Sequence, residues 1–463
     1  MTSDDNLLII AVNDTDILRF NYPVGRASNG SGTVPDRAPR GLRHTASMSY
    51  VVVALRRHFP ALTRGAAHFD GPGGTQVPDV VGAAVADALT DAISNRGRST
   101  AAERRADDIV TRARADVAAL LGGSPDGIVF GRSMTQLTYD LSRALAKTWA
   151  PGDEIIVTSL DHDANHRPWV QAAQAAGVHV RVADFDPATG ELPTQAITRL
   201  LGSRTRLVAV TAASNLIGTR PDVRAIADAV RSTPTSEPST NPSPGEPLTS
   251  RPVLYVDAVH AAAHVSLDRV SLGADLLVAS PYKFLGPHCG ALSADPAVLA
   301  GLHPDKLAPS SDAVPERFEF GTLPYELLAG TSAAIDFIAD LSGLPSQRPL
   351  RERLGVALAH IEAHEDRLRA RIEAGLADLG ATCWSRADRR TPTLLVRLPG
   401  VPDEVVRDHL AARGVNVPCS SFYALEASRR LGLGDTGALR IGLAPYTDDS
   451  DVDRLLSGLA ELA

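Results

Sequence analysis

The chain has 463 residues, a formal net charge of −8 and a sequence pI near 5.9. That length is enough to bury one large hydrophobic core and a second, smaller one, and the apolar and charged fractions of 44% and 22% are those of an ordinary globular protein. The acidic balance, without any basic run, argues against general nucleic-acid binding.

Residues 1 to about 47 carry scattered Gly, Ser, Pro and Arg without a sustained period. We predict a disordered leader there, or a start codon assigned too far upstream. The first residues, MTSDDNLLIIAV, are acidic where a signal peptide is positively charged, and no stretch has the length of a membrane span. We therefore expect a cytosolic protein whose patterned sequence begins near Met48.

A glycine-rich segment, AAHFDGPGGTQVP, follows and lacks the spacing of a dinucleotide-binding fingerprint or a P-loop. We expect Gly71, Gly73 and Gly74 to let the backbone approach a ligand or a neighbouring subunit closely. Two helix-periodic stretches come next, VVGAAVADAL and ERRADDIVTRARADVAALLG, and a Gly pair predicts the end of the second helix.

From Ile128 the pattern alternates between strands and helices. The strands are IVF, EIIVTSL, VRVADF, LVAVTAAS, VLYV and DLLVAS, and the first helices between them are QLTYDLSRALAKTWA, HRPWVQAAQAAG and TQAITRLLG. Such alternation predicts an α/β fold, a mostly parallel sheet with helices on both faces. The segment 232–251 is rich in Pro, Ser and Thr, and we predict that it is a disordered surface insertion.

Two of these strands are followed by residues that together suggest covalent chemistry. Asp257 follows VLYV, and Lys283 lies just past DLLVAS. Among 46 cationic residues only Lys147, Lys283 and Lys306 are lysine, and arginine cannot form a Schiff base. Pyridoxal phosphate needs a lysine to hold its aldehyde and an aspartate to keep its pyridine nitrogen protonated. The structural alternative is a salt-bridged aspartate and a surface lysine.

After about residue 341 the sequence changes character. A long amphipathic helix over roughly 350–379 leads to a strand TLLVRL, a helix DEVVRDHLAARG, edge strands around VNV and ALRIGLA, and a closing helix DVDRLLSGLAEL. We predict an N-terminal arm and a large α/β domain over 48–340, followed by a small α+β domain over 341–463.

Further polar residues lie just past predicted strand ends, the edge at which ligands of open α/β sheets collect. In GRSMTQ, the free N–H groups at a helix start and the hydroxyls of Ser133 and Thr135 form a candidate phosphate cradle. His162 follows another strand and is placed to stack on a flat ring, although a lone histidine there is more often a capping or core residue. Asn215 and His260 occupy similar positions.

Seven segments resemble the class V aminotransferase family, most closely its cysteine-desulfurase-like branch, both in their amino-acid sequence and in their order along the chain. They are FDGPGGTQVP, IVFGRSMTQLTYDLSRAL, PGDEIIVTSLDHDANHRPW, RLVAVTAASNLIGT, VLYVDAVH, GADLLVASPYKFLGPH and FEFGTLPYELLAG. The resemblance runs from about Met48 to the C-terminus. It implies a type I pyridoxal-phosphate-dependent fold and a homodimer with the active site at the subunit interface.

The resemblance also implies roles for individual residues. Lys283 matches the lysine that binds pyridoxal phosphate, Asp257 the partner of the pyridine nitrogen, and His162 the histidine that stacks on the ring. Arg440 resembles the arginine that grips a substrate carboxylate, a task that suits its planar fork. Asn215 matches a residue near the phenolic oxygen and the substrate. Further cofactor contacts are implied for Ser133, Met134, Thr135, His260, Ser280, Tyr282 and, from the other subunit, Thr322; no metal is expected.

Three departures from the desulfurase pattern stand out. His260 replaces the usual Gln and keeps the ability to hydrogen-bond the phenolic oxygen. Tyr282 replaces the histidine before the lysine, and its hydroxyl can reach a phosphate but cannot supply the same proton chemistry at neutral pH. Tyr423 aligns with the mobile-loop cysteine that attacks the sulfur of the substrate in desulfurases.

None of the three cysteines stands at that loop position. Cys419 lies four residues before Tyr423 and would need an exposed, stabilised thiolate to act as a nucleophile. Its place beside Pro418 favours a small packed residue instead, and we expect Cys289 to pack against the sheet. With Cys383, they show no metal-ligand spacing and indicate a reducing compartment.

We therefore expect a pyridoxal-phosphate-dependent lyase that acts on a cysteine-like amino acid by C–S cleavage or β-elimination, without the standard loop cysteine. Transamination and epimerisation by the same family are alternatives, because they start from the same α-carbanion. A silent cofactor-binding protein is the third possibility, and the presence of Lys283, Asp257 and Arg440 together argues against it.

Overall fold

The computed structural model describes residues 52–235 and 251–463. The predicted leader, residues 1–47, lies outside the described residues, as do residues 236–250 of the predicted insertion. Among the residues that are described, no helix is both long and apolar enough to cross a bilayer.

The secondary structure follows the alternating pattern of the sequence. The helices are α1 (Asp79–Thr90), α2 (Ala101–Leu121), α3 (Met134–Ala146), α4 (Arg167–Ala176), α5 (Thr194–Thr198), α6 (Val223–Arg231), α7 (Arg269–Leu272), α8 (Pro296–Ala300), α9 (Tyr325–Asp340), α10 (Leu350–Asp378), α11 (Asp403–Ala412), α12 (Leu425–Arg430) and α13 (Asp449–Ala460). The strands are β1 (Ala67–His68), β2 (Ile128–Gly131), β3 (Glu154–Thr158), β4 (His179–Ala183), β5 (Thr205–Thr211), β6 (Val253–Asp257), β7 (Leu276–Ala279), β8 (Gly290–Ala294), β9 (Thr382–Cys383), β10 (Thr393–Arg397), β11 (Val415–Asn416), β12 (Cys419–Ser420) and β13 (Ala438–Gly442).

Local sequence determines where the helices begin and end. Thr100 and Glu103 form a capping box that satisfies free N–H groups at the start of α2. Gly122 follows the last residue of that helix with a φ of 78°, which glycine adopts readily, so the predicted stop at the Gly pair is confirmed.

A seven-stranded sheet forms the larger part of the fold, in the order β2-β8-β7-β6-β5-β3-β4. From β7 to β4 all neighbours pair in parallel, while β8 runs antiparallel to both β7 and β2. The predicted mostly parallel sheet is therefore confirmed. β8 was not predicted, because its sequence GALSA lacks the β-branched residues that mark a buried strand.

Side chains on the two faces of this sheet pack into different cores. In β6, Leu254 and Val256 belong to one hydrophobic cluster, whereas Val253 and Tyr255 belong to another. Successive side chains of a strand point to opposite faces, so both faces are covered. This double burial explains why the strands are apolar runs that become polar only at their ends.

The C-terminal part contains an antiparallel sheet in the order β12-β13-β10-β9. The prediction that ALRIGLA is an edge strand is wrong, because β13 lies between β12 and β10 and all five of its residues are buried. The strand in VNV does not join this sheet but pairs in parallel with β1. β1 thereby ties the N-terminal arm to the C-terminal part.

The long helix α10 contributes to two cores. Leu354 and Leu358, near its start, pack into the cluster that includes one face of the large sheet, whereas Leu368 and Ile372 pack into the core of the C-terminal part. The predicted division after residue 340 falls between α9 and α10 and stays a prediction.

Candidate active site

A cavity of about 560 Å³ opens at the carboxyl edge of the parallel strands. Residues following β3, β5, β6 and β7 form its floor, and the segment after β12 together with β13 closes it from the C-terminal part. The predicted site residues that line it are Met134, Thr135, His162, Asn215, Asp257, His260, Tyr282, Lys283 and Arg440.

Asp257 and Lys283 share this cavity as an acid and an amine. Asp257 ends β6 and accepts a 2.9 Å hydrogen bond from the Val259 N–H. Burial raises the pKa of Asp257 to about 6, although the charge of Lys283 opposes the shift. Burial and then the positive charge of Arg440 lower the pKa of Lys283 to about 7. A substantial fraction of this amine is therefore uncharged at neutral pH.

His162 presents a neutral ring to the cavity. Its Nδ1 accepts a 3.0 Å hydrogen bond from the Ala164 N–H, so the proton of the neutral ring is on Nε2. Burial, helped by the charge of Lys283, lowers the pKa of His162 to about 4. The ring of Tyr423 stacks on it with centroids 5.6 Å apart.

The glycine-rich segment packs against the lysine turn of the same chain. The Thr75 N–H donates to the Tyr282 carbonyl at 3.1 Å, and the Lys283 amine donates to the Pro72 carbonyl. A Cβ on Gly74 would lie 3.3 Å from the Tyr282 ring, and one on Gly71 would lie 2.9 Å from a backbone carbonyl. Gly71 and Gly74 therefore closely approach the chain's own backbone and side chains. Gly73 lines the cavity, and the approach to a ligand predicted for it stays a prediction.

Arg440 lies at the centre of β13, and only part of its guanidinium group forms hydrogen bonds with the described residues. Its Nη1 donates to the Asn215 carbonyl at 3.0 Å, while its buried Nε has no partner among the described residues. The Phe422 ring covers the guanidinium, with 3.7 Å from the ring centroid to Cζ. Burial lowers the pKa of Arg440 to about 9, so the side chain stays largely cationic at neutral pH.

Three predicted residues do not line the cavity. Ser133 caps α3: its hydroxyl oxygen accepts from the Gln136 N–H at 3.1 Å, while its own proton stays available to a second acceptor. Ser280 is buried beside the lysine turn, and its Oγ has no partner in the described part of the chain. Thr322 is exposed and lines a separate cavity of about 230 Å³ with Arg132 and His288.

The cavity also contains residues that the sequence did not single out. Asp163 and Arg167 lie beside His162, with Arg167 Nη2 3.1 Å from Asp163 Oδ1. Tyr139 reaches the wall from α3. The spacing of Asp163 and Arg167 is that of a surface helical ion pair, so only the fold shows that they face the site.

No cysteine of the described residues lines this cavity. Burial raises the pKa of Cys419 to about 11, helped by Asp403 and Glu404, so its thiolate is disfavoured. Burial also raises the pKa of Cys289 to about 11, and its sulfur lies 3.5 Å from Thr331 Oγ1. Cys289 is buried, and Cys419 is partly buried against the core of the C-terminal part.

Known proteins share this arrangement of sheet and chain. The family model Aminotransferase class-V matches residues 67–235 and 249–455. The chain is 30% identical to Uncharacterized protein MT3887 of Mycobacterium tuberculosis, over 90% of this chain and 100% of that protein. It is 32% identical to a Probable cysteine desulfurase of Mycolicibacterium paratuberculosis, over 89% of this chain and 58% of that protein. The solved cysteine desulfurase CsdA of Escherichia coli superposes with a TM-score of 0.75 at 25% identity, over 89% of this chain and 98% of that one.

The cavity fits the cofactor of this family. It offers an amine that is partly uncharged at neutral pH and a buried carboxyl at a strand end, the two groups that pyridoxal phosphate requires. It also offers the neutral aromatic ring of His162. Asn215, which lines the cavity, has a buried Oδ1 without a partner in the described chain, a polar capacity that the protein alone leaves unused. The chain therefore belongs to the class V aminotransferase family, in its cysteine-desulfurase-like branch, and its cofactor is pyridoxal 5′-phosphate.

Proposed function

We propose that this enzyme cleaves the C–S bond of a cysteine-like amino acid by β-elimination. The observation that carries the proposal is the composition of the cavity, which combines Lys283, Asp257 and Arg440 but includes no cysteine among the described residues. Bound pyridoxal phosphate supplies an electron sink for the α-carbon of an amino acid. The residues around the bound cofactor determine which reaction the amino acid then undergoes.

The residues of the chain divide the work. Arg440 binds the carboxylate of the amino acid through Nε and Nη2, because Nη1 already donates to the Asn215 carbonyl. Lys283, whose pKa is lowered to about 7, accepts the α-proton as a general base. Asp257 would keep the pyridine nitrogen of the bound cofactor protonated, and His162 would provide a neutral aromatic ring for the cofactor to pack against.

The fate of the sulfur follows from the lack of a thiolate among the described residues that line the cavity. A persulfide mechanism needs a cysteine thiolate to attack the sulfur of the substrate, and Tyr423 aligns with that position. Here the Cβ–S electron pair leaves with the sulfur, which departs as sulfide or a thiol after protonation. The released enamine then takes up water and yields pyruvate and ammonia.

The products of L-cysteine and its S-conjugates test this proposal. We expect sulfide or thiol and pyruvate in equal amounts, with no alanine. The Cys419→Ser variant should release sulfide at the wild-type rate, because this thiol is outside the cavity. Alanine as the product, or loss of sulfide release in Cys419→Ser, would contradict the proposal. A lasting absorbance change without pyruvate would indicate transamination instead, and loss of α-deuterium without product would indicate epimerisation.

The pH dependence of cofactor uptake tests the state of the Lys283 amine. Attack on the aldehyde needs the uncharged amine. Because the pKa of Lys283 is lowered to about 7, the rate of uptake by cofactor-free protein should rise with pH and level off above about pH 8. Stopped-flow absorbance measures this rate. Arg440→Gln removes a positive charge that lowers this pKa, so the midpoint should move to higher pH; a rate that climbs steadily towards pH 10 in wild type would contradict the assignment.

We also propose that the enzyme acts as a homodimer. Thr322 and the neighbouring Phe320, which is 43% exposed, lie at the surface beside the second cavity. In a homodimer, Thr322 of each chain is available to contact the phosphate in the cavity of the partner subunit. This arrangement accounts for the distance of Thr322 from the cavity of its own chain.

A further inference from the structure

Two buried threonine hydroxyls lie behind His260 on the wall of the cavity. His260 is only 4% exposed, and its Nε2 lies 3.0 Å from Oγ1 of both Thr391 and Thr393. Its other ring nitrogen, Nδ1, forms no hydrogen bond with any described residue. The ring is therefore anchored at one nitrogen only.

The hydroxyl of Thr393 determines which nitrogen of the ring carries the proton. Thr393 is fully buried, and Nε2 of His260 is the one hydrogen-bond partner of its Oγ1 among the described residues. A buried hydroxyl that donates to nothing loses free energy, so Thr393 donates and Nε2 accepts. Thr391 Oγ1 has a second acceptor, the Gly218 carbonyl at 3.3 Å. The neutral His260 ring consequently carries its proton on Nδ1.

The surroundings keep this ring neutral. Burial lowers the pKa of His260 well below its usual value, and the charges of His264, Arg440 and Lys283 add to the shift. His264 meets the ring edge to face at 4.9 Å, and its own Nδ1 lies 2.8 Å from Glu365 Oε2 on α10. The carboxylate of Glu365 thus acts on His264 and makes no hydrogen bond to His260.

The threonines are held in place by the turn that follows β5. The Thr391 N–H donates to the Gly218 carbonyl at 2.9 Å. A Cβ on Gly218 would lie 2.8 Å from the Thr391 carbonyl oxygen and 3.0 Å from that of Thr393, so only glycine allows this approach. These contacts therefore hold the backbone of both threonines in place beside the wall of the cavity.

We propose that Thr393, with Thr391 beside it, is a positioning residue that makes His260 a fixed hydrogen-bond donor, through Nδ1, to the phenolic oxygen of bound pyridoxal phosphate. The proposal rests on the cofactor and on the contact between His260 and that oxygen that the family resemblance implies, and it does not depend on C–S cleavage. A donor at this oxygen stabilises its anionic form and so lowers the pH at which the bound chromophore loses its proton.

Thr393→Val is the direct test, because valine keeps the shape of threonine and removes the hydroxyl. The His260 ring is then free to carry its proton on Nε2 and donate to Thr391, which leaves the phenolic oxygen without a donor. We expect the pH midpoint of the visible absorbance of the lysine-bound cofactor to rise by about one unit, the size of a lost hydrogen bond to a charged group. Thr393→Ser keeps a hydroxyl and should therefore keep the wild-type midpoint. Thr391→Val should shift the midpoint much less than Thr393→Val does.

A double substitution separates this role from a general packing effect. His260→Gln places an amide at position 260 that can donate whatever residue 393 is, so Thr393→Val should cause no further shift in that background. A wild-type midpoint in Thr393→Val, or an equal shift in the His260→Gln background, would overturn the proposal. Thr393→Ala provides the same comparison if the valine variant does not fold. The spectra need no amino acid, so an absence of sulfide release would leave this test unaffected.

Discussion

Replacing Lys283 by alanine is expected to give a folded protein that holds no covalently attached cofactor and turns over amino acids at least about 10³-fold more slowly. General-base catalysis alone contributes about 10²–10⁴-fold, and the variant also loses the amine that binds the aldehyde. Lys283 is the lysine among the residues that line the cavity. Borohydride reduction of the wild type followed by mass spectrometry should place the cofactor on the peptide containing Lys283.

The two other lysines provide matched controls. Lys147 pairs with Asp305 at 2.6 Å and Lys306 pairs with Asp312 at 3.1 Å, both outside the cavity. Lys147→Ala and Lys306→Ala should keep the visible absorbance and the rate of the wild type. Cofactor mass on either of these lysines, or its retention in Lys283→Ala, would contradict the assignment.

The core of the site could be predicted because it depends on strand ends. An apolar run that turns polar marks the point where a doubly covered strand leaves the core, and the carboxyl ends of parallel strands share one edge. This reasoning brought Asp257 and Lys283 together from sequence alone, and the structure places both on one cavity. The strand pattern does not say which chemistry occurs at this edge. Because the chain has only three lysines, a lysine just past a strand end pointed to Schiff-base chemistry.

Other features depend on tertiary packing and left little trace in the sequence. The position of β13 inside its sheet follows from strand order, which a five-residue apolar run does not specify. A serine before a helix can bind a phosphate or cap the helix. Only the structure shows that the Ser133 oxygen accepts from the Gln136 N–H of that helix. Thr393 reaches His260 across 133 residues of sequence, so no local pattern could pair them.

Asp257→Asn is expected to lower the rate of α-proton removal by about 10²-fold or more, since a neutral amide cannot hold the pyridine nitrogen protonated. Loss of α-deuterium from the best amino acid of the panel measures this rate directly. The side chain keeps its shape, and its Oδ1 can still accept from the Val259 N–H at 2.9 Å. A rate within a factor of about two of the wild type would contradict a role for the charge of this residue.

The stability of the same variant should change in the opposite direction. Burial raises the pKa of Asp257 to about 6, above the ordinary value of about 3.9, so the unfolding free energy of the cofactor-free protein falls as pH rises from about 4 to about 6. At pH 7 the ionised carboxylate costs up to about 3 kcal/mol, and asparagine removes that cost. The cofactor-free Asp257→Asn protein should therefore melt at or above the wild-type temperature at pH 7, with the difference vanishing near pH 4.

Asp275 supplies the contrast for this result. Asp275, directly before β7, is buried as Asp257 is, but Arg251 binds both of its oxygens, at 2.7 and 2.8 Å, and it lies outside the cavity. Asp275→Asn should lower the melting temperature and keep the cofactor spectrum, because it breaks a partly buried ion pair away from the cavity. Opposite effects at two buried aspartates would show that the carboxylate of Asp257 is retained for its charge, at a cost in stability that only the cofactor explains.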